Sequence, residues 1–402
     1  MPLWVSASHG QGLVETIVVG AALGLTSCGS GGGEMKTDIR TTTLWRDLRI
    51  IWAITSKDLL DAVKSKTTLS ILLSALFIVV IYQVLPTFER ASDLPTVLIY
   101  DAGASDLLPA LKRSPHLDVY TGYTSQDQLE SKLVAGDIPE LALAIPPGFD
   151  EAMKRGEPPV LEGYVQHWVS DSAAAQLKAA AEEEIAQLIG QPVTINLEGN
   201  LLYPTPDSGG RSFLTSLAVL LSVTMIGIGL APHLMVEEKE TRTMDALLVS
   251  PARSSHLVIA KALAGLSYCL IAAAIVLAIN ASLVLHWGLA VAAVVLSSLF
   301  VVSVGLLLGS LVGAKQVLPV WSMVVLTVLM LPLFLAIMKD LLPSAATTIM
   351  SWIPTVTLSR VLRGAFSRDL TFLTFGLELL VVAACTAVII SCVAWTVRRA
   401  DR

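Results

Sequence analysis

The sequence predicts an α-helical integral membrane protein of six transmembrane helices with an inserted extracytoplasmic α/β domain. Three observations carry that prediction. The chain of 402 residues is 54% apolar and only 15% charged, with a mean hydropathy of +0.69; soluble domains carry about 25% charged residues. Its apolar residues gather into runs of the length that a helix needs to cross a bilayer, about 20 residues. Its charge is divided: residues 89–211 hold 19 acids and 8 bases, whereas the remainder holds 14 acids and 19 bases. The net charge of -6 therefore hides an acidic segment and a basic remainder, as expected for two sides of a membrane.

Residues 1–34 read as a mis-called start or a signal-like tail. Leu25-Thr26-Ser27-Cys28 resembles a bacterial lipoprotein cleavage box, but no Lys or Arg precedes Lys36 and Glu15 interrupts the apolar stretch, so the basic region of a secretory signal is missing. Gly31-Gly32-Gly33-Glu34 before Met35 fits a translated ribosome-binding site, which makes Met35 the expected start. Residues 35–66 mix apolar and basic positions at helical spacing, with Leu48, Ile51 and Ala53 or Ile54 on one face and Arg46, Arg49 and Lys57 elsewhere. That pattern predicts a cytoplasmic helix lying in the membrane interface, its bases near anionic lipid headgroups.

The expected spans are 67–88, 213–235, 257–285, 288–313, 317–338 and 371–397. Only His286 and Trp287 part the third from the fourth, which makes that pair a helical hairpin. Lys and Arg gather before the first span, in the loop 236–256, at Lys315 and in the tail at Arg398, Arg399 and Arg402. The positive-inside rule puts these on one side, giving a multi-pass protein of the bacterial cytoplasmic (inner) membrane with both termini cytoplasmic. The loop 339–370, with Lys339, Arg360, Arg363 and Arg368, opposes that orientation.

Residues 89–212 alternate two patterns. Strands are expected at 96–101, 117–123, 141–146, 159–165 and 193–199, and helices at 104–114, 125–136 and 171–190, the last capped by Asp171 or Ser172 and ended by Gly190; the alternation argues an α/β domain. His116 and His167 have no recognisable nucleophile beside them in the sequence. Cys28, Cys269, Cys385 and Cys392 show neither a disulfide framework nor metal-ligand spacing, so no metal is expected and the thiols read as small buried apolar groups.

The stretch Glu237–Pro251, "EEKETRTMDALLVSP", sits between two apolar runs. Met244, Leu247 and Leu248 fall at i, i+3, i+4, so a short helix capped by Thr241 or Thr243 and ended by Pro251 offers an apolar ridge to a partner; a solvated reversal of the chain is the plainer reading. With the ten residues that follow, "EEKETRTMDALLVSPARSSHLVIAK" resembles the coupling segment of type-2 ABC-transporter permeases: an acidic run, Thr, a Leu pair, Ser-Pro and then Lys261. One span, an external α/β domain with "ALAIPPGF" at 142–149 and five further spans resemble the exporter branch that includes sodium-efflux and drug-efflux permeases. "LLLGSLVGAKQ" (306–316) and "SWIPTVTLSRVLRG" (351–364) are similar to its fourth span end and last external loop.

The resemblance implies the membrane subunit of an ATP-driven exporter, with Glu237, Glu238 and Glu240 facing a cytoplasmic ATPase subunit or stabilising the loop. Met244, Leu247 and Leu248 would seat in that subunit, Thr243 belongs to the same coupling segment and Pro251 would fix the turn; Arg242 stands where the family often has Gly, which leaves the local backbone and the placement of Thr243 open. It implies no cofactor on this chain, ATP and Mg being held by the partner, and a second permease copy or sibling permease. Membrane lipids are the other expected partner and nucleic acid is not one. No GxxxxGK[ST] phosphate loop occurs in the sequence, so the chain is not expected to be an enzyme. Glu378, inside the sixth run, is a possible pathway residue because an intramembrane acid is costly, or else it reaches the interface or pairs with a neighbouring span. His233, Pro232, Pro319 and Pro332 mark possible kinks. The alternative is a membrane-anchored sensor with an extracytoplasmic ligand-binding domain. A secondary transporter would want more intramembrane ionisable groups.

Overall fold

The structure, a computed structural model, describes residues 38–64, 66, 69–70, 73–74, 77, 81, 94–155, 160–240, 254–336, 343–368 and 372–400. The expected leader at 1–34 and most of the expected first span, 67–88, lie outside the described residues.

Helix α1 runs Asp38–Lys64. Trp45, Leu48 and Trp52, at i, i+3 and i+7, are all exposed, while Thr55 and Asp58 are buried. Of the expected apolar stripe, Leu48 and Ala53 are exposed and Ile51 and Ile54 partly buried, and the contact with residues 260–261 is made by the polar Thr55 and Asp58. The reason is specific: Thr55 donates to the Ala260 carbonyl at 3.3 Å and Asp58 pairs with Lys261 at 3.0 Å.

Between residues 94 and 202 the chain forms a six-stranded sheet. Its elements are β1 (Thr96–Asp101), α2 (Leu107–Leu111), β2 (Asp118–Tyr120), α3 (Gln126–Val134), β3 (Leu141–Ile145), α4 (Phe149–Lys154), β4 (Val160–Gln166), α5 (Asp171–Ile189), β5 (Thr194–Asn196) and β6 (Leu201–Leu202). Strand order is β2-β1-β3-β4-β5, with β6 also on β4; only the β3–β4 pair is antiparallel. Side chains alternate between faces along a strand. Val97, Ile99, Leu141, Leu143 and Leu161 accordingly join α2 and α5 in one core, and Leu98, Ala142 and Tyr164 join Leu129 and Leu133 of α3 in another. Burial on both faces is why "LALAI" is continuously apolar instead of alternating. Helix α5 is capped by Ser170, whose hydroxyl accepts from the Ala173 amide at 3.3 Å, one residue before the expected cap; it ends at Gly190 in the left-handed conformation, φ +74°.

The remaining elements are helical: α6 (Gly210–Glu240), α7 (Ser254–Ile279), α8 (Trp287–Leu311), α9 (Leu318–Leu335), α10 (Ser344–Ser351), α11 (Pro354–Gly364) and α12 (Gly376–Ala400). Among the described residues five helices are long and apolar enough to cross a membrane: α6, α7, α8, α9 and α12. Helix α6 is the central one, 78% of its apolar window being buried against 17% for α9 and α12. It crosses α8 closely. A Cβ at Gly227 would lie 2.6 Å from Val301, one at Gly309 would lie 2.8 Å from the Pro232 Cα, and one at Gly305 would collide with the Gly227 carbonyl. Small residues four apart let helix backbones approach in this way.

Pro232 removes the amide that would bond the Ile228 carbonyl. The Ser322 hydroxyl of α9 donates to that carbonyl instead, at 3.3 Å, which is how a membrane helix re-satisfies a broken bond. The α7–α8 hairpin turns through a 3-10 segment at Ala281–Leu283, and the Leu285 and His286 amides both donate to the Ala365 carbonyl at 3.0 and 2.9 Å. The third run, expected to stay helical to residue 285, therefore stops at Ile279. Residues 339–370, expected as a loop, contain α10 and the largely buried α11.

Candidate functional site

Where the sheet meets the helices, the chain leaves β6 and enters α6 at Gly210. Its φ is +64° and a Cβ there would strike the Ala135 carbonyl, so only glycine fits. The Arg211 amide next to it donates to the Gly136 carbonyl at 3.2 Å. This joint borders a cleft of 730 Å³ lined by Ala135 and Asp137 after α3, by residues 207–210, by Phe213 and Leu214 of α6, and by side chains of α10 and α11.

A chain of charges stands at the cleft. Arg360 of α11 donates through Nη1 to Glu378 Oε1 at 3.3 Å, and its Nε lies 3.5 Å from Asp207 Oδ1 without hydrogen-bond alignment. Glu378 sits in the first turn of α12, nearer the helix start than its place in the apolar run implied, where the helix dipole also favours an acid. Arg363, one turn from Arg360, is 7% exposed; its Nη1 donates to the Ser208 carbonyl at 3.1 Å and its Cζ lies 5.4 Å from the centre of the Phe213 ring. Burial pushes the Arg363 guanidinium down to about 10, with Asp207 opposing the shift. The sequence singled out Glu378 alone; its partner lies in what read as a loop.

A second charged locus lies at the other end of the apolar helices in sequence terms, beside the segment resembling a coupling helix. Glu237, Glu238 and Glu240 belong to the last turns of α6; the side chains of Glu238 and Glu240 lie outside the described residues, as do Thr243, Met244, Leu247, Leu248 and Pro251. Lys261, which closes that segment, is 2% exposed in its side chain and pairs with Asp58 Oδ2 at 3.0 Å. Tyr268 Oη donates to the Leu59 carbonyl at 2.6 Å, so α1 and α7 are joined by three polar contacts.

Glu184 Oε1 accepts from Ser114 at 2.6 Å and Oε2 lies 3.0 Å from His116 Nδ1, so one buried carboxylate ties the turn after α2 to α5. His167 lies against the Leu283 carbonyl at 3.2 Å and stacks on Tyr203; burial lowers its pKa. Among the described residues no group of three His, Cys, Asp or Glu is arranged to hold a metal.

Glu140, just beyond the joint, carries a pH consequence. Its amide donates to Gln166 Oε1 at 3.2 Å. Burial first and then Asp137 raise its carboxyl from 4.5 to about 7, with Lys132 opposing. The folded state therefore holds more protons than the unfolded state between those values, and stability falls as pH rises through that window. The wild-type melting temperature should be lower at pH 7.5 than at pH 5 by a margin that disappears in Glu140→Gln; an unchanged margin in that variant would assign the effect elsewhere.

A family profile described as ABC-2 family transporter protein matches residues 66–395. No curated protein matches the chain.

Proposed function

Because the chain belongs to the ABC-2 transporter family, as a multi-pass membrane component and not itself the catalyst, we propose that it is the permease subunit of an exporter. It would draw its energy from a separate cytoplasmic ATPase through residues 237–251. The observation that supports this most is the family match across 66–395 together with five apolar helices, of which α7, α8 and α9 pack directly on α6. In the proposed cycle ATP, held with Mg by the partner, closes the ATPase subunits and moves the segment that seats Met244, Leu247 and Leu248. Glu237, Glu238 and Glu240 face the partner, while Thr243 and Pro251 shape the turn. The motion passes into α6, whose lower end continues into that segment, and shifts it against α7, α8 and α9.

The remaining parts follow from the same reading. The run 67–88 supplies the sixth span, both termini are cytoplasmic in a bacterial inner membrane, and the sheet region lies outside. The exposed Trp45, Leu48 and Trp52 of α1 lie against membrane lipids. The exposed apolar faces of α9 and α12, with Trp321, Met323, Val328, Leu380 and Val388, meet lipid or a second permease. The cleft beside Arg360, Glu378 and Asp207 is the exit, with Glu378 on the pathway.

The test is purification of the tagged full chain from native membranes in mild detergent. A stoichiometric subunit carrying a Walker-type phosphate loop is expected to co-purify, and Leu247→Asp/Leu248→Asp should lose it by tenfold or more while keeping the wild-type elution profile. A preparation with no ATPase would bring forward a sensor that binds a ligand on its sheet region.

A further inference from the structure

Arg363 is a buried cation with no carboxylate in ion-pair contact, Asp207 acting on it only from farther away. Among the described residues none lies within ion-pair distance of it, its Nε has no hydrogen-bond partner, and its contacts are one carbonyl and one aromatic face. Arg360, one helical turn away and more exposed, lies within ion-pair distance of both Asp207 and Glu378. The molecule thus pairs its half-exposed arginine twice and leaves its buried one unpaired. That order is the reverse of what stability alone favours, since an unpaired buried charge costs several kcal/mol.

The cleft that Arg363 lines is large enough for a ligand: at 730 Å³ it falls within the ~300–1,000 Å³ typical of small-molecule sites. Its wall is apolar at Phe213, Leu214, Ala336, Met350 and Val356. The acids of the cleft, Asp137 and Asp207, are exposed residues at its edge. The cleft thus combines an apolar wall, the hydroxyls of Thr347, Thr348 and Ser351, and the Arg363 guanidinium.

We propose that this cleft binds a monoanionic amphiphile, its carboxylate or phosphate against Arg363 and its hydrocarbon along Phe213, Leu214, Met350 and Val356. A charge-assisted hydrogen bond to guanidinium is about twice as strong as a neutral one, and the apolar wall adds area-dependent affinity that a bare anion cannot draw on. The edge carboxylates disfavour a dianion. A free fatty acid and an acidic phospholipid share this chemistry. The inference goes beyond transport direction and ATPase pairing, and stands if either fails.

The experiment uses the full chain in nanodiscs of neutral phosphatidylcholine, with radiolabelled decanoate as one probe and phosphatidylglycerol, counted by native mass spectrometry, as the other. Saturable binding of at least one is expected. Decanoate alone points to a free acid and phosphatidylglycerol alone to a membrane lipid, both within the proposal. Arg363→Gln should weaken binding tenfold or more. Met350→Trp, which fills the cleft from α10 and keeps Arg363, should do the same and decides the matter if Arg363→Gln does not fold. No saturable binding of either probe overturns the proposal, as does equal binding of decanol, equal competition by inorganic phosphate, or unchanged binding in a folded Met350→Trp.

Discussion

Asp58→Ala should destabilise the protein by about 3–5 kcal/mol, the usual cost of removing one partner of a buried ion pair. Lys261 and Asp58 meet at 3.0 Å with side chains only 2% and 8% exposed, so the ammonium left behind cannot reach water by a simple rotation. The loss should appear as a melting temperature lower by several degrees in detergent. Asp58→Leu combined with Lys261→Met should recover most of it, because a buried pair and an apolar pair of similar volume are close in energy. A single variant melting within about 1 °C of wild type would mean that water enters the site. The functional consequence depends on position: Lys261 ends the segment that resembles a coupling helix, and Thr55, Asp58 and Leu59 hold α1 to α7 there. The double variant, folded but without charges, separates stability from coupling: ATPase association should survive in it if the pair serves only to hold the helices.

The apolar helices were legible because the bilayer imposes a length and a composition that few other structures share; α8, expected at 288–313, runs 287–311. The strands of the sheet were legible because short β-rich runs are bounded by turn residues, and β1 occupies the expected 96–101. What escaped has common causes. Strand β6 has two residues, too few for any period. Helix α4 starts from Gly148 at φ +81°, a left-handed residue that reads as a turn. Helix α11 begins at Pro354, an allowed first position, but its buried Thr355, Thr357, Ser359 and Arg363 look like a solvated loop. Their hydroxyls are satisfied across helices, Thr355 on the Leu329 carbonyl at 2.8 Å and Ser359 on Ser216 at 3.1 Å, and tertiary partners of that kind leave no local trace. For the same reason Glu378 could be singled out by its cost in a membrane while Arg360, its partner, could not. Lys261 was visible as part of a pattern, but nothing in the pattern pointed to Asp58. Cys392, expected to be buried, is exposed on α12, because a helix apolar all round does not reveal which face packs.

Gly305→Leu is expected to be the most damaging change in the helical core. Even a methyl group at that position would collide with the Gly227 carbonyl and come within 3.1 Å of the Ala231 Cβ. The obstacle is backbone, so it cannot rotate aside as a side chain would. Overpacking a core usually costs about 1–3 kcal/mol, and this site should exceed that range because relief requires the two most buried spans, α6 and α8, to separate along their crossing. Separation would also lengthen the Gly309–Pro232 approach and draw the Ile228 carbonyl from Ser322, adding an unsatisfied group in a setting without water. Gly305→Ala should be intermediate. Gly288→Ala is the control: it lies on the same helix with nothing within 4 Å of its would-be Cβ, and alanine's better helix propensity makes it neutral or stabilising by up to about 1 kcal/mol. Monodisperse yield on size exclusion and the melting temperature should fall in the order Gly288→Ala, Gly305→Ala, Gly305→Leu. If Gly305→Leu matches the control in both, α6 and α8 do not meet at Gly305, and a transport cycle in which α6 shifts against its neighbours would have to turn on another contact.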